Sequence, residues 1–150
     1  MLQLIYGDLW EHHHNGDIIA ITTGALIDNK GRCAMPKGCA RQAADQYPDL
    51  PYILAEQIKK FGSHVFDIGH KMVSFPVEPS PFENPEIKII NQSCKELVEL
   101  TNYKGWQRVV VPRPGCVHGG LSWNEVKPLL ELYFDQRFHV ITREVDLETS

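Results

Sequence analysis

Two glycine-rich stretches and one isolated carboxylate carry most of the chemistry legible in this chain. The segment Val109–Trp123, VVVPRPGCVHGGLSW, breaks an apolar run into a Pro/Gly loop just ahead of a helical pattern. Such a loop can hold a phosphate, because glycine lets backbone N–H groups approach an anion with no Cβ in the way, and a helix start adds unpaired N–H groups and a positive dipole end. It can equally just turn a corner. The stretch Gly24–Ala40, GALIDNKGRCAMPKGCA, holds Lys30, Arg32 and Lys37, with Arg41 just inside the helix that follows. Any one of these cations reads as solvated surface charge. The stronger signal is the backbone of Lys37, Gly38, Cys39 and Ala40, a small-residue helix start that offers N–H donors whether or not a lysine takes part. Asp8 follows Gly7 at a strand end, where an ionised carboxylate, an acceptor only, can take a hydrogen bond from an exocyclic amine such as adenine N6, or simply cap a turn.

His118, inside GCVHGG, is placed to contact a phosphate or move a proton and is the candidate acid/base. Cys116 beside it has no base fixed to it by sequence and reads as a buried small side chain. The run His12-His13-His14 is expected to be a solvated loop, since three adjacent side chains do not easily converge on one ion and no carboxylate or cysteine stands at zinc-like spacing. No metal site and no cofactor are therefore expected. Asp17 reads as a strand start or turn cap. Trp106 and Trp123 read as packing residues, and Phe82, in a Pro-rich loop, has the best claim to stack on a base.

Composition bounds the rest. At 150 residues with 43% hydrophobic and 23% charged, the chain fits one domain over 1–150 with a normal core. A formal charge of −4 argues against a protein that coats free nucleic acid, while a small anionic ligand in a local basic pocket remains allowed. Cys33, Cys39, Cys94 and Cys116 show no CxxC spacing and no secretory h-region precedes them, which reads as reduced thiols in a cytoplasmic protein. No apolar stretch approaches the ~20 residues that span a bilayer, so no membrane role is expected.

Periodicity supplies the elements that must position these residues. Strands are expected at the start as far as Gly7-Asp8, over Asp17–Thr23, as a pair over His64–Ile68 and Lys71–Val77, over Gln107–Pro112, and over Arg137–Thr142. Helices are expected over Cys39–Tyr47, Pro51–Phe61 and about Asn84–Tyr103, and from the Ser122-x-x-Glu125 capping box to about Tyr133. The tail from Glu144 is expected to fray. This order predicts a three-layer α/β/α sandwich with a mixed central sheet, whose ligands bind beyond the carboxyl ends of the central strands.

Taken together, GDLW at 7–10, DIIAITTGA at 17–25, MPKGCARQA at 35–43 and VPRPGCVHGGLSW at 111–123 resemble the macro domain family, in the right order over most of the chain. The resemblance is nearest to the bacterial and phage-type members and to the terminal ADP-ribose glycohydrolase-like branch, the latter around FENPEI and PGCVHGGLSW. It implies a three-layer α/β/α fold and a cleft for ADP-ribose or a derivative. Asp8 would bind the adenine amine and Leu9 touch the ring. Met35–Ala40 would form the first phosphate loop beside Thr23 and Gly24, with Lys37, Gly38 and Cys39 in it. The second loop, Pro114, Gly115, Cys116, Val117, His118, Gly119 and Gly120, would cradle the diphosphate and distal ribose. Gly24 stands where many members carry an asparagine, and Pro36 where a glycine is common. Glu78 and Gly119 are nearest to where the glycohydrolase-like branch has its lysine and aspartate, so a Schiff-base mechanism is not expected. The implied chemistry is hydrolysis of ADP-ribose-1″-phosphate or of ADP-ribosyl adducts, with His118 as acid/base; the alternative is a non-catalytic reader of ADP-ribosylated protein.

Overall fold

The β-branched runs alternate between two cores, which is what a sheet covered on both faces requires. The computed structural model describes residues 1–116 and 120–143. The chain runs β1 (Gln3–Tyr6), α1 (Leu9–His14), β2 (Ile18–Thr23), α2 (Gly38–Gln46), α3 (Leu50–Phe61), β3 (Met72–Pro76), α4 (Ile87–Lys104), β4 (Val109–Pro112), α5 (Trp123–Tyr133) and β5 (Phe138–Thr142). Val109, Val111, Ala20, Phe75 and Val140 pack with Ile90, Leu97 and Leu130 of α4 and α5. Val110, Ile19, Ile21, Met72 and Ile141 face the other way, against Leu9 and Trp10 of α1, Ala43 of α2 and Leu50 and Leu54 of α3. The result is the expected three-layer α/β/α sandwich.

The sheet corrects one expectation. Its order is β1-β5-β4-β2-β3, and every pair is parallel, not mixed. Each of β1 to β4 is followed by at least one helix that returns the chain to the same end of the sheet, so every link between strands is a crossover. The segment 64–68, expected as an antiparallel strand, does run beside β3 but makes only an isolated bridge, Asp67 with Val73. The Ser74 hydroxyl interrupts the ladder there: it accepts the Phe66 N–H at 2.9 Å and donates to the His64 carbonyl at 3.0 Å.

The histidine run is a second correction. It is the end of the six-residue helix α1, not a loop, and His13 is buried, its Nε2 2.6 Å from the His70 carbonyl and its ring edge-on to Trp10. His12 turns instead toward Asp17, which also receives Arg108. Successive helix residues diverge by about 100°, so the three imidazoles do not share a target. Among the described residues no cluster of His, Cys, Asp and Glu is arranged to hold a metal ion, and no helix is long and apolar enough to cross a membrane. The tail 144–150 lies outside the described residues.

Candidate functional site

A parallel sheet brings all five carboxyl ends to one edge, and a crevice of about 440 Å³ runs along that edge. Its lining takes residues from each strand end: Gly7 and Asp8 after β1, Thr142 and Arg143 after β5, Pro112 and Arg113 after β4, Thr23 and Gly24 after β2, and Val77 and Glu78 after β3. Asp8 and Glu78 therefore stand at opposite ends, separated by four inter-strand steps of ~4.8 Å, or about 19 Å. That length suits an extended dinucleotide-sized molecule rather than a single sugar or base.

Asp8 is the N-cap of α1, and its Oδ1 accepts the Trp10 N–H at 3.0 Å. One carboxylate oxygen suffices for the cap, and a carboxylate with two oxygens can accept from a ligand amine as well. Leu9 is buried beneath it, and Trp10 is held by its indole N–H to Gln42 Oε1 at 2.7 Å.

The middle of the crevice is built from the start of α2 on one side and from Arg113 and Gly115 on the other. Lys37 is the N-cap of α2 in extended conformation, with no side-chain cap bond and no acidic residue in the first turn. The start of α2, over Gly38, Cys39 and Ala40, thus lines the crevice beside Met35 and Pro36 with no side chain capping it. From the other side come Arg113 and Gly115. Gly115 has φ +75°, and a Cβ there would stand 2.9 Å from Leu121 Cδ1 and 3.2 Å from both Ile90 and Pro85, so only glycine fits. Arg113 lies over the Trp123 ring at 4.3 Å, and its Nε is buried with no hydrogen-bond partner among the described residues.

The molecule's likeness to known proteins follows this geometry. No family model matches the chain. The macrodomain of Thermus aquaticus DarG superposes with a TM-score of 0.73 at 22% identity, covering 96% of this chain and 98% of that one. The macrodomain of Mycobacterium tuberculosis DarG gives 0.74 at 22% identity, covering 94% and 97%. The fold is that of a macro domain. Thermosipho africanus DarTG, solved in complex with ADP-ribose, gives 0.72 at 22% identity, covering 93% of this chain and 41% of that one. A curated relative from Thermosipho africanus, a DNA ADP-ribosyl transferase–DNA ADP-ribosyl glycohydrolase fusion protein, is 24% identical over 157 residues, covering 88% of this chain. The chain spans 38% of that relative's length.

Of the residues singled out from sequence, Asp8, Leu9, Thr23, Gly24, Met35, Lys37, Gly38, Cys39, Ala40 and Gly115 all line this one macro domain crevice. Pro114, Cys116 and Gly120 do not; Cys116 packs against the core on the α4–α5 side. Val117, His118 and Gly119 lie outside the described residues. The N-terminus of α5 is not a free donor set, because the Ser122 side chain accepts the Glu125 N–H and the Glu125 carboxylate accepts the Ser122 N–H. Phe82 is 80% exposed, outside the lining, and next to Pro81 at the Glu78 end, far from Asp8.

Of the four loop cations, only Lys37 lines the crevice. Arg32 pairs with Asp28 and Arg41 with Asp45. Burial pushes the Cys116 thiol up to about 11 and raises Cys39 as well, whose Sγ lies 3.5 Å from Thr22 Oγ1. Neither is a thiolate near neutrality, so neither is a ready nucleophile.

Sequence reasoning passed over Thr22, Pro85, Arg113 and Thr142 as site residues. The signal that finds them is positional: each closes or follows a strand of a parallel sheet, except Pro85, which seats Gly115. The Gly24 departure also has a local cause. A Cβ at Gly24 would stand 3.0 Å from Ser80 Cα and 3.3 Å from Pro81 Cδ, because the loop after β3 crosses directly over it. Ala25 N–H fastens that loop by donating to the Pro79 carbonyl at 2.9 Å.

Proposed function

We propose that this protein binds ADP-ribose along the crevice and hydrolyses the bond that joins the distal ribose to an adduct. The observation that carries the reading is the order of groups along one edge. A carboxylate able to accept from adenine stands at one end, the start of α2 with Lys37 and the Arg113–Gly115 turn stand in the middle, and Thr23, Gly24 and Glu78 stand at the other end. The adenine amine would donate to Asp8, the diphosphate would lie against the start of α2 and the Arg113–Gly115 turn, and the distal ribose would reach the end of β2. Support comes from neighbours of the same fold, one of them solved with ADP-ribose. The name of the curated relative makes DNA-linked ADP-ribose the first adduct to test. The formal charge of −4 favours recognition through the ADP-ribosyl group over capture of free nucleic acid. The four free thiols support a cytoplasmic setting.

Calorimetry with ADP-ribose, AMP and ribose-5-phosphate tests binding: the reading expects ADP-ribose to bind well above either fragment, and no heat with ADP-ribose would sink it. For hydrolysis, the protein is incubated with ADP-ribosylated DNA, ADP-ribosylated protein and ADP-ribose-1″-phosphate, and the release of free ADP-ribose is followed. Tight binding with no product from any of the three would leave the reader module in its place.

A further inference from the structure

Glu78 is a carboxylate in the crevice to which the binding reading gives no contact with the ligand. It follows β3, its side chain is 8% exposed, and that remnant faces the crevice it lines. Its ion-pair contact among the described residues is Lys37 Nζ at 4.0 Å, a long contact for a carboxylate held out of water. Burying a carboxylate is costly unless it is well paired, so this placement is not explained by packing. The surrounding loop nevertheless holds it firmly. Ala25 N–H donates to the Pro79 carbonyl, Lys37 Nζ donates to the Pro81 carbonyl at 3.3 Å, and Gly24 lies under Ser80 with no room for a Cβ.

The other reactive groups in the described lining fit the chemistry less well. Asp8 is at the far end and caps α1. Cys39 is a protonated thiol. Lys37 is half-exposed and anchored as a donor.

We propose that Glu78 is the general base of the hydrolysis, taking a proton from the water that attacks C1″ of the distal ribose. This rests on the hydrolytic reading above. A water oxygen forms the new bond to C1″, and the C1″–adduct bond breaks with its electron pair going to the adduct's nitrogen or oxygen. One water proton passes to the Glu78 carboxylate, and from there to the leaving atom, or to solvent when the leaving group is a carboxylate. The net change is adduct plus water to ADP-ribose plus the freed group. Burial raises the Glu78 carboxyl above the usual glutamate range, with Lys37 opposing the shift, which moves it toward the proton affinity a base needs near neutral pH.

The test compares wild type, Glu78→Gln, Glu78→Asp and Lys37→Met, with ADP-ribose calorimetry for binding and an ADP-ribosylated oligonucleotide and a glutamate-linked ADP-ribosyl peptide as substrates. Glu78→Gln is expected to bind ADP-ribose within about threefold of wild type and to lose ~10²- to 10⁴-fold in kcat, with partial recovery in Glu78→Asp. The acid limb of the kcat profile should vanish in Glu78→Gln and move to higher pH in Lys37→Met, where the cation that holds the carboxyl down is gone. Turnover within about threefold of wild type in Glu78→Gln overturns the assignment. So does an acid limb that survives in Glu78→Gln and disappears in His118→Ala. Wild type that binds ADP-ribose and turns over neither substrate overturns it too, while wild type that fails to bind ADP-ribose brings down the binding reading itself.

Discussion

The two ends of the crevice each present a carboxylate, and the two are held in opposite ways. Asp8 is exposed, sits after an edge strand, and already has a structural duty as the cap of α1. Glu78 is buried, sits after the other edge strand, and has one distant cation for company. An exposed carboxylate keeps its charge and its acceptor capacity at little cost, which suits recognition. A buried one pays in desolvation and gains proton affinity, which suits chemistry. The same side-chain group therefore serves two different ends of a ligand according to how much water reaches it.

Three substitutions would sharpen or break that contrast, and a labelling measurement tests burial elsewhere. The largest expected effect is at the recognition end: Asp8→Ala should weaken ADP-ribose binding by about tenfold to a hundredfold, the value of a hydrogen bond to a charged group, measured by calorimetry. Unchanged affinity would mean that Asp8 is only a cap. Next, Gly24→Ala should lower unfolding stability by about 1–3 kcal/mol in denaturant melts, because its Cβ meets the Ser80 backbone and the loop carrying Glu78 must shift.

A smaller effect is expected on stability from Glu78→Gln, and its sign is fixed by burial. A carboxyl whose folded value is raised favours the folded state only while protonated, so that contribution is present below the ordinary glutamate range and lost as pH rises through the raised value. Glu78→Gln should then melt higher than wild type at pH 7.5, with the gap closing at pH values below the ordinary glutamate range. No gap at pH 7.5 would show that Lys37 already neutralises the burial cost, and a gap that persists at low pH would show that it does not come from the charge on the carboxyl. The smallest effect concerns the thiols. With Cys33 and Cys116 at about 11 and Cys94 at about 12, folded protein should react with a maleimide at pH 7 far more slowly than unfolded protein does.

Much of the frame was legible because strong local signals coincide with what packing rewards. The apolar runs at 17–23 and 107–112, the glycine stops at Gly62 and Gly105, and the Ser122–Glu125 box each predict an element that is there, with β2 and β4 starting one and two residues later than expected. The helix α1 was not legible, because in six residues its buried face amounts to Leu9, Trp10 and His13, too short a stripe to show a period, and three histidines look polar until one is buried. Strand direction was not legible either: the alternation of residues in a strand is the same for parallel and antiparallel pairing. For the site, the glycine loops announced themselves by composition. Arg113 and Thr142 did not, since only the sheet order makes β4 and β5 the floor of the crevice. Glu78 was visible only by alignment with a residue of different chemistry, and its meaning came from burial, which no sequence pattern displays.

The position of β5 has a consequence for how the molecule comes into being. The last strand lies between β1 and β4, pairing Gln3–Tyr6 on one side and Val109–Pro112 on the other. While a ribosome is still short of residue 138, β1 therefore has no strand partner among the described residues, and the Asp8 end is held to the rest only through the packing of α1. Synthesis from the N-terminus can prepare β2, β3 and β4 with their helices as a unit, but β1 must wait for β5 to enter the sheet. A ligand that needs both ends of the trough finds them joined by a continuous sheet only once β5 has been made.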